Sequence, residues 1–249
     1  MWSRKELKQN AKILMHKRYS QMLGVSSLYL ILSGTIFFTI NYYYTQINDV
    51  INEPSTPIYS IEPDKNFILF LFYFILLSSF IGFIIRTLYT IFIANPLSVG
   101  ESKYFINNRK DQGRFNNLFY AFSHNYMNIV KVTFFMQIKL MLWTLLFIIP
   151  GIIKALEYSM IPYILAERPD ISSEEAFRLS KELTDYQKTE LFVLELSFFG
   201  WYFLGLLLCG IGIIFVYPYY YATMAELYFK LKETKQIEIT PDIPPIPNL

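Results

Sequence analysis

Seven ionisable side chains stand inside or at the ends of long apolar stretches: Arg86, Lys131, Lys139, Lys154, Glu157, Glu195 and Glu226. A charge at the centre of a bilayer costs about 2.5–3.5 kcal/mol on insertion scales, so each needs a partner, a path to water or a task. Arg86 is two turns from the end of its stretch and can snorkel along its own stem. Lys131 falls at an interface, and Glu226 near the inner end of the last stretch. Lys154 and Glu157, three residues apart, share a helix face near the expected outer turn and can neutralise each other. Lys139 and Glu195 have opposite signs and differ in depth by about 9 Å at the helical rise; the Lys139 stem can snorkel across much of that gap, and the two are expected to pair across two helices. Paired charges hold helices together, whereas a charge left facing a wet cavity marks a transport path.

Other chemistry lacks its groups. The sequence has two histidines, His16 and His124, and one cysteine, Cys209. No His-Glu-x-x-His zinc motif and no clustered Cys/His spacing occurs, so no metal or other cofactor is expected. A single cysteine forbids a disulfide within the chain, and Cys209 reads as a small hydrophobe in an apolar block. A P-loop is absent, and a net charge of +2 gives no reason to expect nucleic acid as a partner.

The elements that carry these charges are membrane helices. Residues 67–85, 140–153 and 196–225 contain no Asp, Glu, Lys, Arg or His. About 20 apolar residues cross the hydrocarbon as a helix. Six spans are expected, at about 22–44, 66–93, 129–149, 152–166, 191–209 and 213–229. The fold class is therefore all-α, a polytopic membrane protein of three helix hairpins with cytoplasmic amphipathic helices. A basic amphipathic segment (1–21) precedes a single transmembrane domain (22–232) and a Pro-rich cytoplasmic tail (233–249). The first apolar block ends in Asn41-Tyr42-Tyr43-Tyr44 rather than small residues, so it reads as an anchor and not a cleaved signal. In the N-terminal segment, Leu7, Ala11, Leu14 and Met15 make one apolar face among lysines and arginines. That pattern suits an anionic membrane surface.

Lysine and arginine counts set the orientation: six in 1–21, four in 94–128, four in 167–190 and three in 230–249, against one in 46–65. The positive-inside rule puts both termini in the cytoplasm. Helix breaks are expected at Pro150-Gly151, at Gly210-Ile211-Gly212 and at Pro218. The first is expected as a tight turn near the outer surface, where glycine tolerates positive φ. A weak repeat places Pro96-Leu97-Ser98 and Pro169-Asp170-Ile171-Ser172 at the starts of cytoplasmic helices. Tyr126 and Tyr186 stand at similar places before spans 3 and 5. Phe115, Leu118, Phe119 and Phe122 form a helical stripe. Ser172 and Glu175 have capping-box spacing.

Glu174-Glu175 with Arg178 is similar to the paired-glutamate motif of intramembrane CAAX-type proteases. The arginine comes one residue early and no histidine follows, so the segment reads as a capped helix. A second resemblance runs along most of the chain. Leu142-Trp143-Thr144-Leu145-Leu146-Phe147-Ile148-Ile149-Pro150-Gly151-Ile152-Ile153-Lys154 resembles domain-of-unknown-function family 975, a bacterial integral membrane family. So do Tyr158-Ser159-Met160, Glu175-Ala176, Leu196-Ser197-Phe198-Phe199-Gly200-Trp201, Pro218-Tyr219 and Asn95-Pro96-Leu97-Ser98-Val99-Gly100. Thr184-Asp185-Tyr186 departs from it, where the family often has a Met-x-Gly-like segment. The resemblance implies a plasma-membrane protein and lends no activity.

The expected role is that of a non-enzymatic, multi-pass plasma-membrane protein, an accessory or interaction partner in transport or envelope processes. Its partners are the bilayer and other membrane proteins or a second copy. The alternative is a small transporter or permease subunit using the intramembrane charges; a lipid-modifying enzyme is the least supported reading.

Overall fold

A computed structural model describes residues 2–34, 44, 65–207 and 211–237. Among these the chain is all-helical, without a strand. Residues 35–43 of the first expected span and 238–249 of the Pro-rich tail lie outside the described residues, as do Cys209 and Gly210.

Helix α1 (Arg4–Leu32) starts at Ser3, whose hydroxyl accepts from the Glu6 amide at 3.1 Å. Arg18 interrupts it with φ −140°, so α1 is two helices joined at a kink. The expected boundary at 21/22 thus falls just past a real break. The apolar face of the first half is covered by protein, not left for lipid: Leu7 and Ala11 are buried, and Lys230 pairs with Glu6 at 3.6 Å.

Helix α2 (Lys65–Tyr89) runs through a π-helical turn (Thr90–Ala94) into α3 (Asn95–Arg109). Span 2 was expected to end near Ile93, with a new helix after Pro96. The helix instead continues, because the wide turn lets the Asn95 amide donate to the Thr90 carbonyl and absorbs the donor that Pro96 lacks. α3 is no amphipathic surface helix. Leu97, Val99, Glu101, Tyr104, Phe105 and Asn108 are all buried, so it is the centre of the core. Gly100 lets the 3₁₀ segment Phe115–Phe119 cross it closely; a Cβ there would stand 1.9 Å from the Leu118 carbonyl oxygen. The expected aromatic stripe is split between this 3₁₀ turn and α4 (Tyr120–Ser123), so only Leu118 is buried while Phe115, Phe119 and Phe122 face outward.

Helix α5 (Tyr126–Leu146) and α6 (Ile148–Tyr158) form an antiparallel pair. The chain turns at Phe147, which is extended (φ −158°, ψ 145°), and not at Pro150-Gly151. Pro150 occupies the first turn of α6, where a missing N–H costs nothing. Gly151 has no positive φ; it is needed because a Cβ would meet Thr144 Oγ1 at 2.6 Å. Then come α7 (Ile161–Glu167) and α8 (Ser173–Thr184). Ser172 caps α8 by accepting from the Glu175 amide at 3.2 Å, and Ala176, Leu179 and Leu183 are buried, as the spacing requires. Arg168 reaches both oxygens of Glu175 at 3.2 and 3.4 Å.

Helix α9 (Lys188–Leu207) packs along α10 (Ile211–Lys235). Their backbones meet where Gly205 faces Gly212, so Gly212 serves close packing inside α10 and not a break. Pro218 also lies inside α10, which continues through it. Among the described residues four helices are long and apolar enough to cross a membrane, at Leu69–Arg109, Tyr126–Leu146, Ile148–Glu167 and Lys188–Leu207.

Candidate functional site

The charges expected within spans are mostly committed to one another or to aromatic rings. Lys154 Nζ is 2.9 Å from Glu157 Oε1, as the i, i+3 spacing predicts. Glu157 also has a second cation, Lys188 at the start of α9, whose Nζ is 2.9 Å from Oε2. The Glu157 carbonyl accepts from the Ser180 hydroxyl of α8 at 2.6 Å. Glu157 therefore sits beside the charged base formed by α8 and the start of α9, not near an outer turn. Glu226 accepts from Arg109 at 3.1 Å, and Arg109 also lies 4.3 Å above the Phe229 ring. Arg86 lies on the exposed α2.

Lys139 and Glu195 do not meet. Lys139 Nζ stands 3.6 Å over the Phe177 ring on α8. Glu195 Oε1 accepts from the Tyr220 hydroxyl at 2.8 Å. The reach of the lysine stem across the expected depth difference did not produce the pair, because α8 contacts α5 and its Phe177 ring takes up the Lys139 ammonium.

Glu195 faces a cavity of about 550 Å³ between α6 and α9. Ile152, Ala155 and Ser159 form one wall, and Phe192, Phe199 and Tyr202 the other, with Tyr220 of α10 at the back. A smaller cavity of about 140 Å³ adjoins it; Ser159 and Tyr220 line both, and Ser98, Ser102 and Tyr163 line the smaller one. Among the described residues Glu195 has no cationic partner, since Lys154 and Lys188 are both spent on Glu157.

Sequence reading missed Glu101, which is fully buried on α3 with Ser26 Oγ 3.5 Å from one oxygen and no partner for the other. It lies in the polar stretch after the second apolar block, where a carboxylate carries no sign of burial. Tyr29 stacks on Tyr217, and the Tyr217 hydroxyl donates to that of Tyr221 at 2.9 Å, giving the same region a tyrosine core. The Tyr217–Tyr221 run was visible; its inward direction was not.

At the base, Lys8 Nζ donates to the Ser197 hydroxyl at 2.7 Å and lies 4.4 Å over the Phe198 ring. Burial, with Arg4 and Lys12 nearby, pushes the Lys8 ammonium below its ordinary pKa. The hydrogen bond from Lys17, with the charges of Lys17 and Arg18, holds the exposed Asp111 carboxyl below the usual carboxylate range. His16 and His124 are far apart in the fold's element order, and the described residues hold no group of three or more metal-binding side chains.

The cavity walls, the Glu157 triad and the tight Gly205–Gly212 contact all fall between the end of α5 and the end of α10. Residues 145–235 match the DUF975 family, described as protein of unknown function. The DUF975 match starts just before the turn at Phe147 and stops at the last residue of α10. It leaves α1 to α4 and most of α5 outside, including the Asn95-Pro96 segment that resembled the same family. No curated protein and no solved structure matches the chain.

Proposed function

We propose that this chain is a multi-pass plasma-membrane protein of bacterial type, with both termini in the cytoplasm, that works by holding or presenting other membrane components rather than by catalysis. The observation that carries the reading is a separation of surfaces. Large apolar side chains lie exposed along α2, on α5 and α6 around the Phe147 turn, and on the outer half of α9. The charged side chains of α8 and of the α1 start are instead ion-paired or solvated at the opposite end, where the buried core lies. An exposed apolar band over a charged, packed base is what a bilayer requires.

The lengths favour a layout other than six full crossings. Lys139 meets α8, whose Arg178 and Glu182 are 64% and 48% exposed and so must stay out of hydrocarbon. From Lys139 to the end of α5 is roughly 10 Å, and from Glu157 back to the start of α6 roughly 14 Å, at the helical rise. From Ser197, held by Lys8, to the end of α9 is roughly 15 Å. The hydrocarbon is about 30 Å thick. The α5–α6 and α9–α10 pairs thus reach about half-way, as re-entrant hairpins in the inner leaflet. α2 has the length and the apolar exposure for a full crossing.

Expected partners are the bilayer and other membrane proteins or a second copy. The test is carbonate extraction followed by affinity purification in mild detergent. Retention in the membrane pellet and a stoichiometric membrane partner support the reading. Release by carbonate overturns it. One observation favours the second reading, a transporter or permease subunit: the Glu195 carboxylate facing a cavity. Loss of cellular function in a folded Glu195→Gln variant selects that reading.

A further inference from the structure

The α6–α9 cavity combines features that act on one kind of ligand. Its walls are apolar, and its volume of about 550 Å³ lies in the range of small-molecule sites. Its single carboxylate, Glu195, has one hydroxyl partner and no cation among the described residues. Four aromatic rings, those of Phe192, Phe199, Tyr202 and Tyr220, share the lining with it. An ionised carboxylate in an apolar setting is unfavourable unless it takes up a proton or a cation joins it, so a cationic ligand gains what the lone ionised group lacks. Aromatic faces add attraction for that same cation.

The polarity is also oriented. Glu195 and Ser159 are near the ends of α9 and α6 that join the charged base, while Ile152 and Phe199 lie toward the tips. We propose that this cavity binds an amphiphile with an ammonium headgroup from the inner leaflet. The ammonium pairs with Glu195 beside the Tyr202 and Tyr220 rings, and the chain runs outward between Ile152 and Phe199. This rests on the membrane reading above. It names the ligand class for Glu195, the carboxylate of this cavity, which has no cation among the described residues.

The probe is dodecylammonium, with dodecanol as its uncharged counterpart, added below micellar concentration to the full chain purified in a neutral detergent. Dodecylammonium is expected to bind with one-to-one stoichiometry by native mass spectrometry, at least ten-fold more tightly than dodecanol. Glu195→Gln should remove at least ten-fold of that preference and leave dodecanol unchanged. Ala155→Trp, which fills the cavity, should abolish both. Should Glu195→Gln fail to fold, Tyr220→Phe serves: it keeps the ring and frees the carboxylate, so affinity should hold or rise. Unchanged dodecylammonium binding in Glu195→Gln or Ala155→Trp overturns the proposal, as does a ten-fold loss in Tyr220→Phe. Protein that resists carbonate extraction yet shows no charge preference sinks this inference alone. Protein released by carbonate sinks the membrane reading first.

Discussion

Replacing Glu157 by alanine should be among the most destabilising single changes in the DUF975 segment. Its carboxylate is 5% exposed, and each oxygen holds one ammonium at 2.9 Å, Lys154 on α6 and Lys188 on α9. Removing one partner of a fully buried ion pair costs about 3–5 kcal/mol, because the other charge is left stranded. Here the two lysines are 24% and 30% exposed and regain part of their hydration, which lowers the expected loss to about 2–3 kcal/mol. The loss of Glu157 also unties α6 from α9. The assay is thermal or denaturant unfolding of the purified full chain in detergent, as a double-mutant cycle with Lys188→Met. The lysine change should cost clearly less in the Glu157→Ala background than alone. A Glu157→Ala loss below about 1 kcal/mol, or the same Lys188→Met cost in both backgrounds, would refute the argument.

Tyr186 has φ 61° and is 87% exposed, so Tyr186→Gly should remove left-handed strain and stabilise by about 1 kcal/mol, a rise of roughly 2–4 °C in Tm; an unchanged or lower Tm contradicts this. Gly100→Ala should cost about 3 kcal/mol or more, since its Cβ would overlap the Leu118 carbonyl oxygen at 1.9 Å and only backbone movement relieves it; near-wild-type unfolding would show that the 3₁₀ segment does not cross there. Lys139→Ala and Glu195→Ala should be additive to within about 0.5 kcal/mol, because one sits on Phe177 and the other on Tyr220; a coupling above 1 kcal/mol would restore the direct pair.

Local signals in the sequence were read well where a single helix decided them. The Ser172–Glu175 cap, the buried face of α8 and the Lys154–Glu157 pair all follow from i, i+3 and i, i+4 geometry. Proline and glycine were read less well. Pro150 and Pro96 mark places where a missing donor is harmless, in a first turn or after a π turn, and Gly100, Gly151 and Gly212 mark close approaches between helices. Those depend on a neighbour that sequence does not name. The site divided in the same way. Glu195 stood out as a charge in an apolar run, but its partner is Tyr220 and not Lys139, since pairing is decided by which helices adjoin. Glu101 escaped notice because a buried carboxylate in a polar stretch has no local signature. Tyr186 takes a positive φ that a glycine would hold without strain, and nothing in its residue type announced it.

The central claim is that apolar helices hold this chain in the bilayer while α8 and the ends of α1 and α10 stay on the cytoplasmic side, with the α5–α6 turn only half-way across. Single cysteines at Tyr59, Ile148 and Lys181, each in a Cys209→Ala background, test it in intact cells with a membrane-impermeant maleimide. Tyr59 lies outside the described residues, in the loop whose low lysine and arginine content marks it as external. The account predicts labelling from outside at Tyr59 alone, and labelling of Lys181 only after the cells are opened. Labelling of Ile148 from outside would give α5 and α6 a full crossing, and labelling of Lys181 from outside would contradict the placement of the charged base altogether.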